Sequence, residues 1–179
     1  MQIKELVLSD INDNMLDYFN RYQEVKKVWR IENNEKVIKK THFIENWDKP
    51  RKQENINEFR KLLKGGGTVL AAFKEENLIA FGTLDSKFIG ENNQYLQLLS
   101  LHVSYKYRGQ GLGTVLFEKL IEKARERGAR KLYISAHSSV ESIGFYKKAG
   151  CIDAKWLYQP QIEIEPYDCQ LEYIINRGD

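Results

Sequence analysis

The residues of this chain with the spacing to do chemistry begin at Gly109, Gly111 and Gly113, set between an apolar stretch at 95–104 and an amphipathic one at 114–127. Glycines leave backbone N–H groups unobstructed, and successive amides at a helix N-terminus form an anion site suited to phosphate. The pattern reads as a strand that delivers a phosphate-bearing ligand to the start of a helix. A dinucleotide turn would need a third glycine where the chain has Thr114, and an acid after the next strand, where 131–135 offers none. A nucleoside triphosphate loop would need Gly-Lys-Ser/Thr, and no such tripeptide follows. His102 and His137 add groups that titrate near neutrality. Tyr146 adds a hydroxyl able to protonate a thiolate but a poor base at neutral pH.

These groups need elements to hold them. Residues 2–8 alternate as a strand, and Ser9 or Asp10 would cap a helix carrying Ile11, Met15, Tyr18 and Phe19. Residues 28–31 and 36–39 flank two asparagines as a hairpin. Asn55 and Glu58 form a capping box for a helix with Ile56, Phe59, Leu62 and Leu63 on one face, stopped by three glycines at 65–67. Strands follow at 69–74, 78–84 and 95–103, the last with Leu99, Leu101 and Val103 on one face and Ser100 and His102 on the other. Leu116, Leu120, Ile121 and Ala124 give the helix behind the glycines its inward face. A short strand at 132–134 and a helix opened by the Ser138 to Glu141 capping box come next. The chain closes with strands at 152–158 and 169–175, joined by a loop containing Pro160 and Pro166.

With 179 residues and 42% hydrophobic content the chain can bury one full core, so a single domain over 1–179 is expected. Its 28 basic and 25 acidic residues are interleaved, which argues against nucleic acid as a partner. Cys151 and Cys169 have no metal-ligand or disulfide spacing and read as buried small hydrophobes. The start reads as a strand, not a signal peptide, and no apolar run is long enough to span a membrane, so a cytoplasmic protein is expected.

The run from Arg108 to Gly113 matches Arg/Gln-x-x-Gly-x-Gly/Ala, preceded by Leu101-His-Val103 and followed by Phe145-Tyr146-Lys147-Lys148-Ala-Gly150. Over residues 68–151 the chain thereby resembles the GNAT superfamily of N-acetyltransferases. The resemblance implies an α+β fold, a mixed sheet of about six to seven strands with helices on both faces and a splay between the family's fourth and fifth strands. It implies acetyl-CoA as cosubstrate and no metal. Arg108, Gly109, Gln110, Gly111, Gly113 and Thr114 would hold the pyrophosphate, and the backbone of Leu101, His102 and Val103 the pantetheine arm. Tyr146 would be the general acid. Ser139 and Ser142 stand where the family often has Asn and Ala or Ser, the first a pantetheine contact for which serine is short. The glutamate some members use as base is matched by Gln97, which cannot accept a proton, leaving His102, His137, a water chain or an amine that arrives already deprotonated.

The family's acceptor pocket comes from its first helices and last two strands. Here those supply Trp29, Phe43, Trp47 and Tyr158 with Glu163, Glu165, Asp168 and Glu172, a mixture that suits a cationic amine. The expected activity is acetyl transfer to a primary amine of a small molecule by direct attack in a ternary complex. A protein amine and a non-catalytic acyl-CoA sensor are the alternatives. No nucleic-acid or membrane partner is implied, and a homodimer is compatible with the pattern.

Overall fold

A computed structural model describes residues 1–175; residues 176–179 of the expected single domain lie outside it. The strands are β1 (Gln2–Glu5), β2 (Gln23–Glu32), β3 (Glu35–Glu45), β4 (Thr68–Lys74), β5 (Asn77–Ile89), β6 (Tyr95–Val103), β7 (Lys131–Ala136), β8 (Ile152–Asp153) and β9 (Cys169–Ile174). The helices are α1 (Lys49–Lys64), α2 (Leu112–Glu126), α3 (Val140–Lys148) and α4 (Gln159–Ile164). Seven strands form a mixed sheet in the order β1-β4-β5-β6-β7-β9-β8, and β2 with β3 makes a separate hairpin. Among the described residues only β6 and β7 pair in parallel.

The main core, which includes Leu96, Leu98, Leu116, Leu120, Ile134 and Leu171, lies between the sheet and helices α2 and α3. A second core on Leu16, Phe19, Ile56, Phe59 and Phe81 seats α1 on the other face. The expected hairpin forms, and Asn33 and Asn34 both take positive φ, the torsions of a tight two-residue turn.

Five local expectations give way. Residues 11–19 form no α-helix: after a 3-10 turn at Leu8–Asp10 the chain closes in i to i+3 bonds that end at Met15, Asp17 and Phe19. Asn12 accepts from the Asn14 amide, the local competition by which Asn and Asp oppose helix, while Leu16 and Phe19 still reach the core. Helix α1 starts at Lys49, ahead of the Asn55 box, because the Asp48 carboxylate accepts from Arg51 N and Pro50 sits in the first turn. Helix α3 is capped by Ser139 instead of Ser138. The expected strand at 152–158 stops after Asp153: Trp156 and Tyr158 stack on each other, and Trp156 stacks on Tyr95, over the sheet face instead of extending its edge. The expected loop behind it contains α4, with Pro160 where its missing N–H costs nothing.

A sixth difference shapes the site. Ser100 pairs with Thr83 but Leu98 pairs with Leu84, so Leu99 is an extra residue, a β-bulge. The bulge reverses the alternation. Leu96 and Leu98 before it and Leu101 and Val103 after it all meet the main core, while Leu99 is left 44% exposed.

Candidate active site

Strand β6 pairs with β7 from Tyr95–Lys131 to Leu98–Ile134 and no further, although β6 runs on to Val103 and β7 to Ala136. The sheet therefore splays where the bulge bends β6 away. Ser104 N donates to Ile79 O on the β5 side, so by strand alternation the amides and carbonyls of Leu101 and Val103 face the gap, and those of His102 face β5. Leu101 and the Val103 amide thus present an edge that no neighbouring strand pairs, and the His102 backbone belongs to the sheet.

Beyond the splay the chain makes a 3-10 turn and enters α2 through Gly111, which is left-handed at φ +81 and whose side of the helix carries no side-chain cap. The first intrahelical bond is Val115 N to Gly111 O, so the amides of Leu112, Gly113 and Thr114 precede the ladder. A Cβ at Gly109 or Gly111 would meet nothing within 4 Å. One at Gly113 would lie 3.4 Å from Phe145 and 3.6 Å from Val103, so this glycine faces α3 and the strand rather than the open side. Arg108 donates from Nε to Val103 O at 2.9 Å and from Nη2 to Arg21 O at 3.1 Å, tying the turn to the end of β6. Gln110 Nε2 donates to Lys106 O, and Thr114 is exposed. An uncapped helix start with open space beside it and an unpaired strand edge leading to it fit an extended ligand ending in a pyrophosphate.

The side chains around the splay sort by face. Tyr146, on α3, packs edge-on against Phe117 and Phe145 beside the main core. Burial, with Cys151 and Asp168 nearby, raises the pKa of its hydroxyl, which stays protonated at any working pH. Ser139 is fully buried: its Oγ accepts from Ser142 N and Gln23 Nε2 and donates to Ser142 Oγ at 2.8 Å. No surface of Ser139 is left for pantetheine, and Ser142 is the half-buried member of the pair.

On the opposite face the hairpin brings in residues that no spacing announced. Strand β2 bridges to Ser139 through Val28, and Trp29 N donates to Ser138 O. This lays the far end of β3 against the end of β7. Glu45 then accepts from Arg21 Nη2 at 2.9 Å through Oε2 and meets His137 Nε2 at 3.2 Å through Oε1. The His137 Nδ1 accepts from Ser139 N, so both imidazole nitrogens are engaged and the proton sits on Nε2. The Glu45 contact raises the His137 pKa, and the same contact, with Arg21, lowers that of Glu45. Arg21 is 7% exposed and lies over the Trp47 ring; its Nε has no partner among the described residues. His102 is wedged between Trp47 and Phe81, where burial and the cations of Arg21 and Arg108 push its pKa down to about 3.

The expected acceptor residues do not converge. Phe43 touches His137 edge-on and Trp47 lies beside Arg21 and His102, so both join the Glu45 cluster. Trp29 packs on the main core, and Tyr158 joins Trp156 against Tyr133. Glu163 and Glu165 are exposed, whereas Glu172 is fully buried, bonded to Tyr95 and Lys131. The Gln97 side chain donates to Gln161 of α4. Asp168 accepts from Ser135 Oγ at 3.1 Å, and burial raises its pKa. Cys151 is buried as expected and Cys169 only half-buried. Among the described residues no helix is long and apolar enough to cross a membrane, and no cluster of three or more His, Cys, Asp or Glu could hold a metal.

Known proteins share this fold. The family model described as Acetyltransferase (GNAT) family matches residues 23–151. A Bacillus anthracis protein described as a streptothricin acetyltransferase, solved with acetyl coenzyme A, superposes with TM-score 0.72 at 16% identity, covering 99% of this chain and 98% of that one. A nourseothricin acetyltransferase gives TM-score 0.69 at 15% identity, with 98% of each chain covered. An aminoglycoside 6'-N-acetyltransferase complexed with coenzyme A gives 0.62 at 14% identity over 100% of both chains. At such identities the likeness is one of fold.

Proposed function

The chain belongs to the GNAT family of acetyltransferases, enzymes that use acetyl-CoA, and from that premise we propose that its acceptor is a primary amine of a small cationic molecule, acetylated by direct attack in a ternary complex. The observation that carries this reading is the end of β6–β7 pairing at Leu98 and Ile134, immediately before the open turn at Gly109 and Gly111. An acetyl thioester entering along Leu101 and Val103 has its pyrophosphate at the start of α2 and its reacting carbon in the splay.

Each surrounding group then has a task. The Val103 amide and the Leu101 edge hold the pantetheine arm as an added strand. Tyr146 keeps its proton at neutral pH, so its hydroxyl is available to donate to the departing sulfur as negative charge develops there. Neither His102, with its pKa near 3, nor His137, with both nitrogens engaged, is free to act as a base near neutrality. Glu45, held ionised by Arg21 and His137, is neutralised by that pairing and fixes the two side chains at the edge of the acceptor side. The aromatic rings of Phe43 and Trp47 beside it favour a cationic amine, and the antibiotics named for the similar structures are of that kind.

The test is release of free CoA thiol from acetyl-CoA with a panel of spermidine, L-lysine, kanamycin and streptothricin. Turnover with at least one member is expected, and Tyr146→Phe should lower its kcat by about 10²- to 10⁴-fold while CoA affinity stays within a few-fold. Tight acetyl-CoA binding without turnover of any amine would favour a sensor instead.

A further inference from the structure

Four side chains other than Tyr146 stand near the splay with chemistry that could move a proton: His102, Glu45, His137 and Asp168. Three are committed. His102 is sandwiched between aromatic rings, both Glu45 oxygens are bonded, and both His137 nitrogens are bonded. Asp168 differs. Its Oδ2 accepts from Ser135 Oγ, while Oδ1 takes no hydrogen bond from the described residues and is not sealed from solvent.

Its anchor places it. Ser135 is the first β7 residue past Ile134, the last to pair with β6, so it stands at the apex of the splay. Leu132 and Ile134 point into the main core beneath α2 and α3, and Ser135 therefore points to the opposite face. Tyr146 belongs to the α3 side, yet Asp168 lies close enough for its charge to act on the tyrosine hydroxyl.

We propose that Asp168 is the proton acceptor for the incoming ammonium group, working across the splay from Tyr146. The inference rests on the acetyl-transfer reading above. Asp168 Oδ1 takes one proton from R–NH3⁺ and passes it to solvent. The freed lone pair forms the C–N bond to the acetyl carbon. The C–S bond breaks with its electron pair on sulfur, which takes the Tyr146 proton. The second amine proton returns through water to Tyr146, leaving the amide, CoA thiol and one proton released. Burial suits Asp168 to the task, since a carboxylate of raised pKa holds a proton better than an exposed one. The titratable groups acting on it are Glu165, His137 and Glu45, with Tyr146 opposite.

The experiment is a pH profile of kcat/KM for the fastest amine of the panel, in the wild type, Asp168→Asn, Asp168→Glu and Ser135→Ala. Asp168→Asn should lower kcat by about 10²- to 10⁴-fold with CoA affinity and melting temperature preserved. Its residual rate should climb with pH in proportion to free amine, the wild-type acidic limb having gone. Asp168→Glu should recover part of the loss, and Ser135→Ala, which frees the carboxylate from its anchor, should fall between and move the limb. Turnover by the wild type together with an Asp168→Asn variant of near-normal kcat and unchanged limb would overturn this role alone. Absence of turnover in the wild type with every amine would overturn the acetyl-transfer reading and this role with it.

Discussion

Replacing Gly111 and Gly113 by alanine, one at a time, separates a ligand-facing glycine from a packing glycine. Gly111 holds φ +81, where an L side chain costs about 1–2 kcal/mol. The added methyl meets nothing within 4 Å, so no clash adds to that strain. For a chain of 179 residues this corresponds to a melting temperature lower by about 2–8 °C. The same methyl stands in the open space beside the first α2 amides. Amide bonds to an anion contribute about 1.5–3 kcal/mol each, so displacing the pyrophosphate from one of them should weaken CoA binding by about 10- to 150-fold. Pantetheine, which lacks the pyrophosphate, should bind both proteins equally. Gly113 has an ordinary φ, and its methyl would reach Phe145 at 3.4 Å, normal contact, so Gly113→Ala should leave stability and both affinities nearly unchanged. Titration calorimetry with CoA and with pantetheine reads all of this. Unchanged CoA affinity in Gly111→Ala, or an equal loss for both ligands, would refute the assignment of the pyrophosphate to this turn.

Two further outcomes concern charges. Glu45 lifts the His137 pKa above its ordinary 6.5, so the stabilisation from that contact is complete below 6.5 and is lost as pH rises through the higher folded value. At the acid end the Glu45 contribution is lost as pH falls through its lowered pKa, which lies under 4.5. Melting temperature should therefore decline as pH rises above 6.5, and that decline should flatten in Glu45→Gln; an identical slope in both proteins would place the titration elsewhere. Glu172, 0% exposed, accepts from Tyr95 Oη at 2.6 Å and Lys131 Nζ at 2.9 Å. Glu172→Gln strands the lysine, for which about 3 kcal/mol is expected since Lys131 keeps some solvent, a drop of roughly 6–12 °C by circular dichroism. CoA affinity below the transition should not move, and a melting temperature within a degree or two of wild type would show the pair to be solvated.

What the sequence by itself determined was whatever a few neighbouring residues decide. Glycines at 109 and 111 with positive φ, the inward stripe of α2 and the two-asparagine turn of the hairpin follow from backbone torsions and periodicity, and they stand where the pattern put them. Even local signals failed where two competed: the Asn and Asp side chains of 10–14 overrode an apolar helical spacing, and Asp48 with Pro50 outranked the Asn55 box as a helix start. Tertiary structure alone decided the rest. The bulge at Leu99 reflects the unequal demands of β5 and β7 on one strand, which no alternation within 95–103 reveals. Trp156 and Tyr158 left the sheet edge because stacking over Tyr95 and Tyr133 buries more aromatic surface than an edge strand would. The charged cluster is the clearest case. Arg21 meets Glu45 across 24 positions, and Ser135 meets Asp168 across 33. Those contacts exist because hairpin register and strand order bring distant segments to one splay, and a contact made by topology leaves no spacing in the sequence to read.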